Sequence, residues 1–135
     1  MKLPPHVLFR KEWSLILWKP HGILDEPLVN EVIAFIDTAE KRASKPFDRF
    51  TDLSALEMVD LNFKFVFDIA LHRRLSAAPK PAVKSAFYVT NPATTHYVKL
   101  HALLTDYSPL DVALFTDRAE AAVWLGVPDE ALIMA

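Results

Sequence analysis

The sequence predicts an α/β domain built on a mostly parallel sheet. Stretches with strand character alternate along the chain with stretches of helical periodicity, and such alternation requires crossover connections, which place helices over a largely parallel sheet. The length of 135 residues, with 52% apolar and 24% charged residues, suits a single domain spanning residues 1–135. The ten prolines fall mostly where segments begin or end, and no internal repeat or low-complexity tract interrupts the pattern. The expected order is β-β-α-β-α-β-α-β-α, with about five strands and four helices.

Val7 to Lys11 alternates in polarity and Trp13 to Trp18 is richer in apolar residues, so the two read as paired strands joined around Glu12. Asp25 offers an N-cap and Pro27 suits a first turn. Leu28, Val29, Val32, Ile33, Ile36, Ala39 and Ala43 then recur on one helical face. Phe47 to Leu53 is the next strand, followed by a loop over Ser54 to Val59 and a helix starting near Asp60 and ending by Pro79. Val83 to Thr90 is a strand, and Asn91-Pro92 opens a helix with the stripe Ala93, Tyr97, Leu100, Leu104 and Tyr107. Leu110 to Phe115 is the last strand. Asp117 caps the closing helix, which ends at Gly126 and Pro128.

Composition excludes several chemistries. Without cysteine there are no disulfides, thiol-ligated zinc, haem thiolate or iron–sulfur clusters. A net charge of -2 provides no footprint for nucleic acid or an anionic membrane. The two glycines, Gly22 and Gly126, cannot make a phosphate-cradling loop of either common kind. The N-terminal segment has no apolar run of signal-peptide type and nothing resembles a membrane span, so a cytoplasmic protein is expected.

Phe50-Thr51-Asp52-Leu53-Ser54-Ala55-Leu56-Glu57-Met58-Val59-Asp60, taken with the element order, resembles the STAS superfamily, whose soluble members are anti-sigma factor antagonists. The similarity is greatest to its SpoIIAA-like branch of small bacterial proteins, through Arg49-Phe50-Thr51-Asp52-Leu53 and Ala121-Ala122-Val123-Trp124-Leu125. The resemblance implies a role for the strand end at Asp52 and Ser54 and for Asp60 at the following helix start. The family's paired serines do not carry over. Leu61 and Asn62 occupy their places and Phe63 replaces the glycine, so the hydroxyl that a partner kinase phosphorylates is missing. Only a hydroxyl can gain that charge, and the phosphorylation switch is therefore not expected here.

The remaining constellations are judged on spacing. His96 and His101 lie about 140° apart on one helix, which does not suit a shared metal, and His72, His6 and His21 lie elsewhere; no metal or cofactor is expected. Neither Ser54 nor Ser85 has the glycine-flanked elbow of a hydrolase nucleophile. Asp52 and Asp60 are candidates for paired carboxylates, although strand-end bonding and helix capping explain them more simply. Arg49, mid-strand, must find a carboxylate such as Asp48, Asp52 or Asp68, or bind an anion. In sheets of this class ligands collect beyond the carboxyl ends of the strands, here around Asp52, Ser54 and Asp60 to Asn62 and around Thr90, Asn91 and Thr94.

The helix over Asn62 to Ala78 carries two apolar stripes. Phe63, Val66, Phe67 and Ala70 suit the sheet, while Leu61, Phe65, Ile69 and His72 lie on nearly the opposite side. Either a neighbouring helix or the tail Ala131-Leu132-Ile133-Met134 covers the second stripe, or it is an exposed patch that binds a partner. The expected function is non-enzymatic: contact with a protein partner or homodimerisation through Leu61, Asn62, Phe65, Ile69 and His72. The alternative is a small-molecule or lipid-binding module, with Phe65, Ile69, Tyr97 and Tyr107 lining an apolar cleft between two helices.

Overall fold

The computed structural model describes residues 3–77, 83–104 and 110–134. The first strand, β1 (Val7–Arg10), passes through a single 3-10 turn at Lys11–Trp13 into β2 (Leu15–Trp18). Gly22, at φ +72°, turns the chain into a short strand β3 (Gly22–Asp25), which runs directly into helix α1 (Glu26–Ala43). The Asp25 carboxylate accepts the Leu28 N–H at 3.1 Å and caps that helix, with Pro27 in its first turn. Strands β4 (Asp48–Asp52) and β5 (Leu56–Asp60), helix α2 (Phe63–Ala77), strand β6 (Val83–Tyr88), helix α3 (Pro92–Leu104), strand β7 (Leu110–Phe115) and helix α4 (Arg118–Leu125) follow. The expected ends at Ala78, Pro79 and Tyr107 lie outside the described residues.

The main sheet has the order β1-β2-β4-β6-β7, antiparallel only at the β1 edge; its five strands and mostly parallel pairing are as the sequence predicts. Two strands were not predicted. β3 and β5 pair in parallel as a separate ribbon, so the segment expected to loop from Ser54 to Val59 is partly a strand. This moves the helix start. Asp60 ends β5 opposite Asp25, and the cap of α2 is Asn62, whose Oδ1 accepts the Phe65 N–H at 2.7 Å.

The connections from β2 to β4, β4 to β6 and β6 to β7 all step the same way along the sheet, so right-handed crossovers put α1, α2 and α3 on one face. The other face takes α4 and the tail. Leu15, Leu17, Phe50 and Ala86 from this face pack with Ala121, Ala122 and Leu125 of α4 and with Leu132, and Leu15, Leu17 and Phe50 are fully buried. The tail therefore does not cover α2. Arg10 holds it to this opposite face by donating to the carbonyls of Ala131 and Ile133. On the three-helix face, Val7, Ile16, Val32, Ile36 and Phe47 form a second cluster under α1, and Leu53, Val89 and Val98 a third near α3. Among the described residues no helix is long and apolar enough to cross a membrane.

Candidate functional site

Alternation along the strands decides what faces the three-helix layer. Phe50 points into the α4 core, so its neighbours Arg49 and Thr51 belong to the other face; likewise Ala86 faces α4 and Ser85 and Phe87 face the helices. At the centre of the sheet this face thus carries Thr51 and Ser85, both short and polar, instead of branched apolar residues. The helices rest on larger side chains around them. A cavity of about 140 Å³ is left between the helix layer and the sheet, close to the size at which an engineered apolar cavity binds benzene.

Its floor is Trp18, Arg49, Thr51, Ser85 and Phe87, and its walls come from three helices and the small ribbon: Val29, Val32, Ile33 and Ile36 of α1; Phe65, Val66 and Ile69 of α2; Thr94, Tyr97, Val98 and His101 of α3; and Leu24 and Val59. The walls from α1, α2 and the ribbon are apolar, and the polar groups lie on the floor (Arg49, Thr51, Ser85) and on α3 (Thr94, Tyr97, His101), a mostly apolar lining with a few polar groups as in small-molecule sites. His101 sits edge-on to Phe87 with ring centroids 6.0 Å apart.

Arg49 is 8% exposed, and its partner is none of the three aspartates that the sequence offers. Its Nη2 donates to Oε2 of Glu40 at 2.9 Å, and the same oxygen accepts the Phe47 N–H at 2.8 Å. Glu40, in the last turn of α1, is itself 6% exposed. It pins the helix to the start of β4 while neutralising the buried guanidinium, an arrangement whose loss is far more costly than its presence is stabilising. The spacing of Val32, Ile36 and Glu40 is the signal that could have found it, since this carboxylate lies on the buried stripe of its helix.

The residues predicted at the strand ends do not assemble into one site. Asp52 is buried and accepts both the Ser54 N–H (2.9 Å) and the Ser54 hydroxyl (2.6 Å), a local strand-end turn away from the cavity. Asp60 is exposed at the end of the ribbon. Thr90 and Asn91 are exposed at the start of α3, where the Asn91 carbonyl accepts from Thr94 and Thr95. Space thus lies over the face of the sheet, where the short floor residues are, and also beyond the carboxyl ends of β6 and β7, where Thr90, Asn91, Thr95, His96, Lys99 and Thr116 line a separate open depression of about 490 Å³.

The stripes of α2 are rotated from expectation, with Val66 buried as expected but its stripe companions Phe63 and Phe67 turned outward. Leu61, Phe65 and Ile69 are half-buried and line the cavity, Asn62 caps the helix, and Val66 is buried. Phe63 and Phe67, expected on the sheet side, are 64% and 50% exposed, and Leu71 continues their row. Entry through Val59 and Leu61 sets the rotation: Leu61, Phe65 and Ile69 follow one another at four-residue spacing on the cavity side. The side chains of His72 and Ala70 lie outside the described part, as does Tyr107.

No family model and no curated protein matches this chain in sequence. Among solved structures it is similar to an uncharacterised protein of the DUF3478 family from Shewanella loihica PV-4, described as having a SpoIIAA-like fold. The two are 14% identical, the match covers 82% of this chain and 83% of the other, and the TM-score is 0.55. The four helices, the mostly parallel sheet and this likeness together make the fold of the chain SpoIIAA-like.

Proposed function

We propose that the chain is a non-enzymatic binding module that holds a small apolar molecule between its helix layer and its sheet. The cavity carries this reading: apolar side chains from α1, α2 and α3 enclose a floor whose central residues are too short to fill the space. Asp52 and Asp60, the pair of carboxylates that the sequence suggests for acid–base work, do not line it. The test is a titration of the full chain with benzene followed by amide NMR. Saturable shifts at Thr51, Ser85 and Val98 are expected, and Ser85→Ile, which fills the floor, should abolish them. Shifts confined to surface residues, or unchanged in Ser85→Ile, would contradict the reading.

A second reading, self-association through α2, is supported by Phe63, Phe67 and Leu71, which repeat at four-residue spacing on its outer face. Lys64 and Asp68 flank that row with opposite charges, 3.3 Å apart, so two antiparallel copies would set each lysine near the other's aspartate. Sedimentation velocity tests it: a concentration-dependent dimer lost in Phe67→Glu supports it, and a monomer throughout rejects it.

A further inference from the structure

Three buried hydroxyls on the cavity lining have no partner in the protein. Thr51, Ser85 and Thr94 all line the cavity and are only 7%, 4% and 4% exposed. Among the described residues, none of their hydroxyls takes part in a hydrogen bond. Arg49 Nε and Trp18 Nε1 are unpaired too, but those nitrogens are sealed in the packing, whereas the three hydroxyl oxygens keep accessible surface. Thr51 and Ser85 lie on adjacent strands under the helix layer, with Ser85 opposite Arg49 and Thr51 opposite Phe87, so the surface they keep is cavity surface. Thr94, in the first turn of α3, lines the same space. Buried hydroxyls are rarely left unpaired, and here the partner belongs to whatever fills the cavity.

Charge narrows the occupant. Among the described residues no carboxylate lines the cavity, so a cation would lose its hydration without meeting a counter-charge. The Arg49 guanidinium is neutralised by Glu40 and His101 is already engaged, so neither offers an anion a free positive group. The other polar groups open to the cavity are the hydroxyls of Thr51, Ser85 and Thr94, with Tyr97 adding a phenol to the α3 wall. Each of these both donates and accepts, and a ligand hydroxyl, which does the same, is satisfied by whichever of them it reaches. Resting on the ligand-binding reading above, we infer that the cavity selects compact apolar molecules carrying one uncharged hydroxyl, of the phenol or alcohol class, with Thr51, Ser85 and Thr94 supplying the polar contact.

Calorimetry on the full chain with three probes tests this: phenol and toluene, which differ by a hydroxyl in place of a methyl, and benzoate, which carries a charge. A hydroxyl buried without a partner would weaken phenol about tenfold or more against toluene. Phenol binding at least as tightly as toluene, with benzoate weakest, is therefore the expected result. Thr51→Val, Ser85→Ala and Thr94→Val, made singly and together, remove the hydroxyls and leave the apolar walls. At least one single variant should lower the ratio of phenol to toluene affinity several-fold and the triple variant about tenfold, while continued toluene binding reports an intact cavity. Phenol weaker than toluene in the wild type, or a ratio that none of the variants changes, would overturn the inference and leave the apolar-ligand reading standing. Benzoate binding tightest would overturn it in favour of an anion site. Binding of none of the three would remove the ligand reading itself.

Discussion

Glu40 and Arg49 each occupy a position that the surrounding pattern reserves for an apolar side chain, one on the inner stripe of α1 and the other mid-strand in β4. Half of this pair is legible in the sequence: a mid-strand arginine has to meet a carboxylate. The aspartates close in the chain and on α2 are the candidates there, whereas the tight return from α1 into β4 brings Glu40 to Arg49. Glu40→Gln should therefore cost about 3–5 kcal/mol, because it leaves a buried guanidinium without a counter-charge. Replacing both partners by apolar residues of similar volume should cost far less, and urea denaturation of the single and double variants measures the difference. The cap of α2 is a second residue-scale case. Asp60 and Asn62 are both good capping types, and the choice between them depended on whether β5 existed. Asn62→Ala should lose about 1 kcal/mol by the same denaturation assay and Asp60→Ala much less.

At the scale of elements, the main strands and all four helices were legible because each carries a strong period or sits between clear breakers. The β3–β5 ribbon was not. Its strands are four and five residues long, and Leu56-Glu57-Met58-Val59-Asp60 pairs with a segment more than thirty residues earlier in the chain, a long-range contact that local pattern does not encode. The rotation of α2 was also hidden, because two stripes of equal apolarity give the helix no preferred face until Val59 and Leu61 are anchored by the ribbon. This yields opposite expectations for two neighbouring phenylalanines. Phe65→Glu puts a charge into the cavity wall and should lower stability by several kcal/mol, whereas Phe67→Glu, on the outer face, should change it by no more than about 0.5 kcal/mol. Thermal melts monitored by circular dichroism distinguish them, and similar losses for both would mean that the helix is rotated differently.

Across the whole molecule, the sheet has two unequal faces. One is closed by α4 and the tail over Leu15, Leu17 and Phe50, which are fully buried, and Leu17→Ala should cost about 2–5 kcal/mol. The other is covered by three helices that arch over Thr51 and Ser85. The sequence showed the polar character of those floor positions but not that the helices leave space above them, since a void depends on how elements meet in three dimensions. The apolar cleft between helices that the sequence suggests nevertheless groups Phe65, Ile69 and Tyr97, and all three line the cavity. A molecule seated there ties stability to binding, because it binds the folded state alone. The most direct measurement is the thermal unfolding of the wild type and of Ser85→Ile, each with and without benzene. If the cavity is the ligand site, a concentration near one hundred times Kd should stabilise the wild type by about 2.7 kcal/mol, on the order of 10 °C in Tm for a chain of this length. Ser85→Ile should start about 0.5–2 kcal/mol more stable and show no further rise; an equal rise in both proteins, or none in the wild type, would contradict the account.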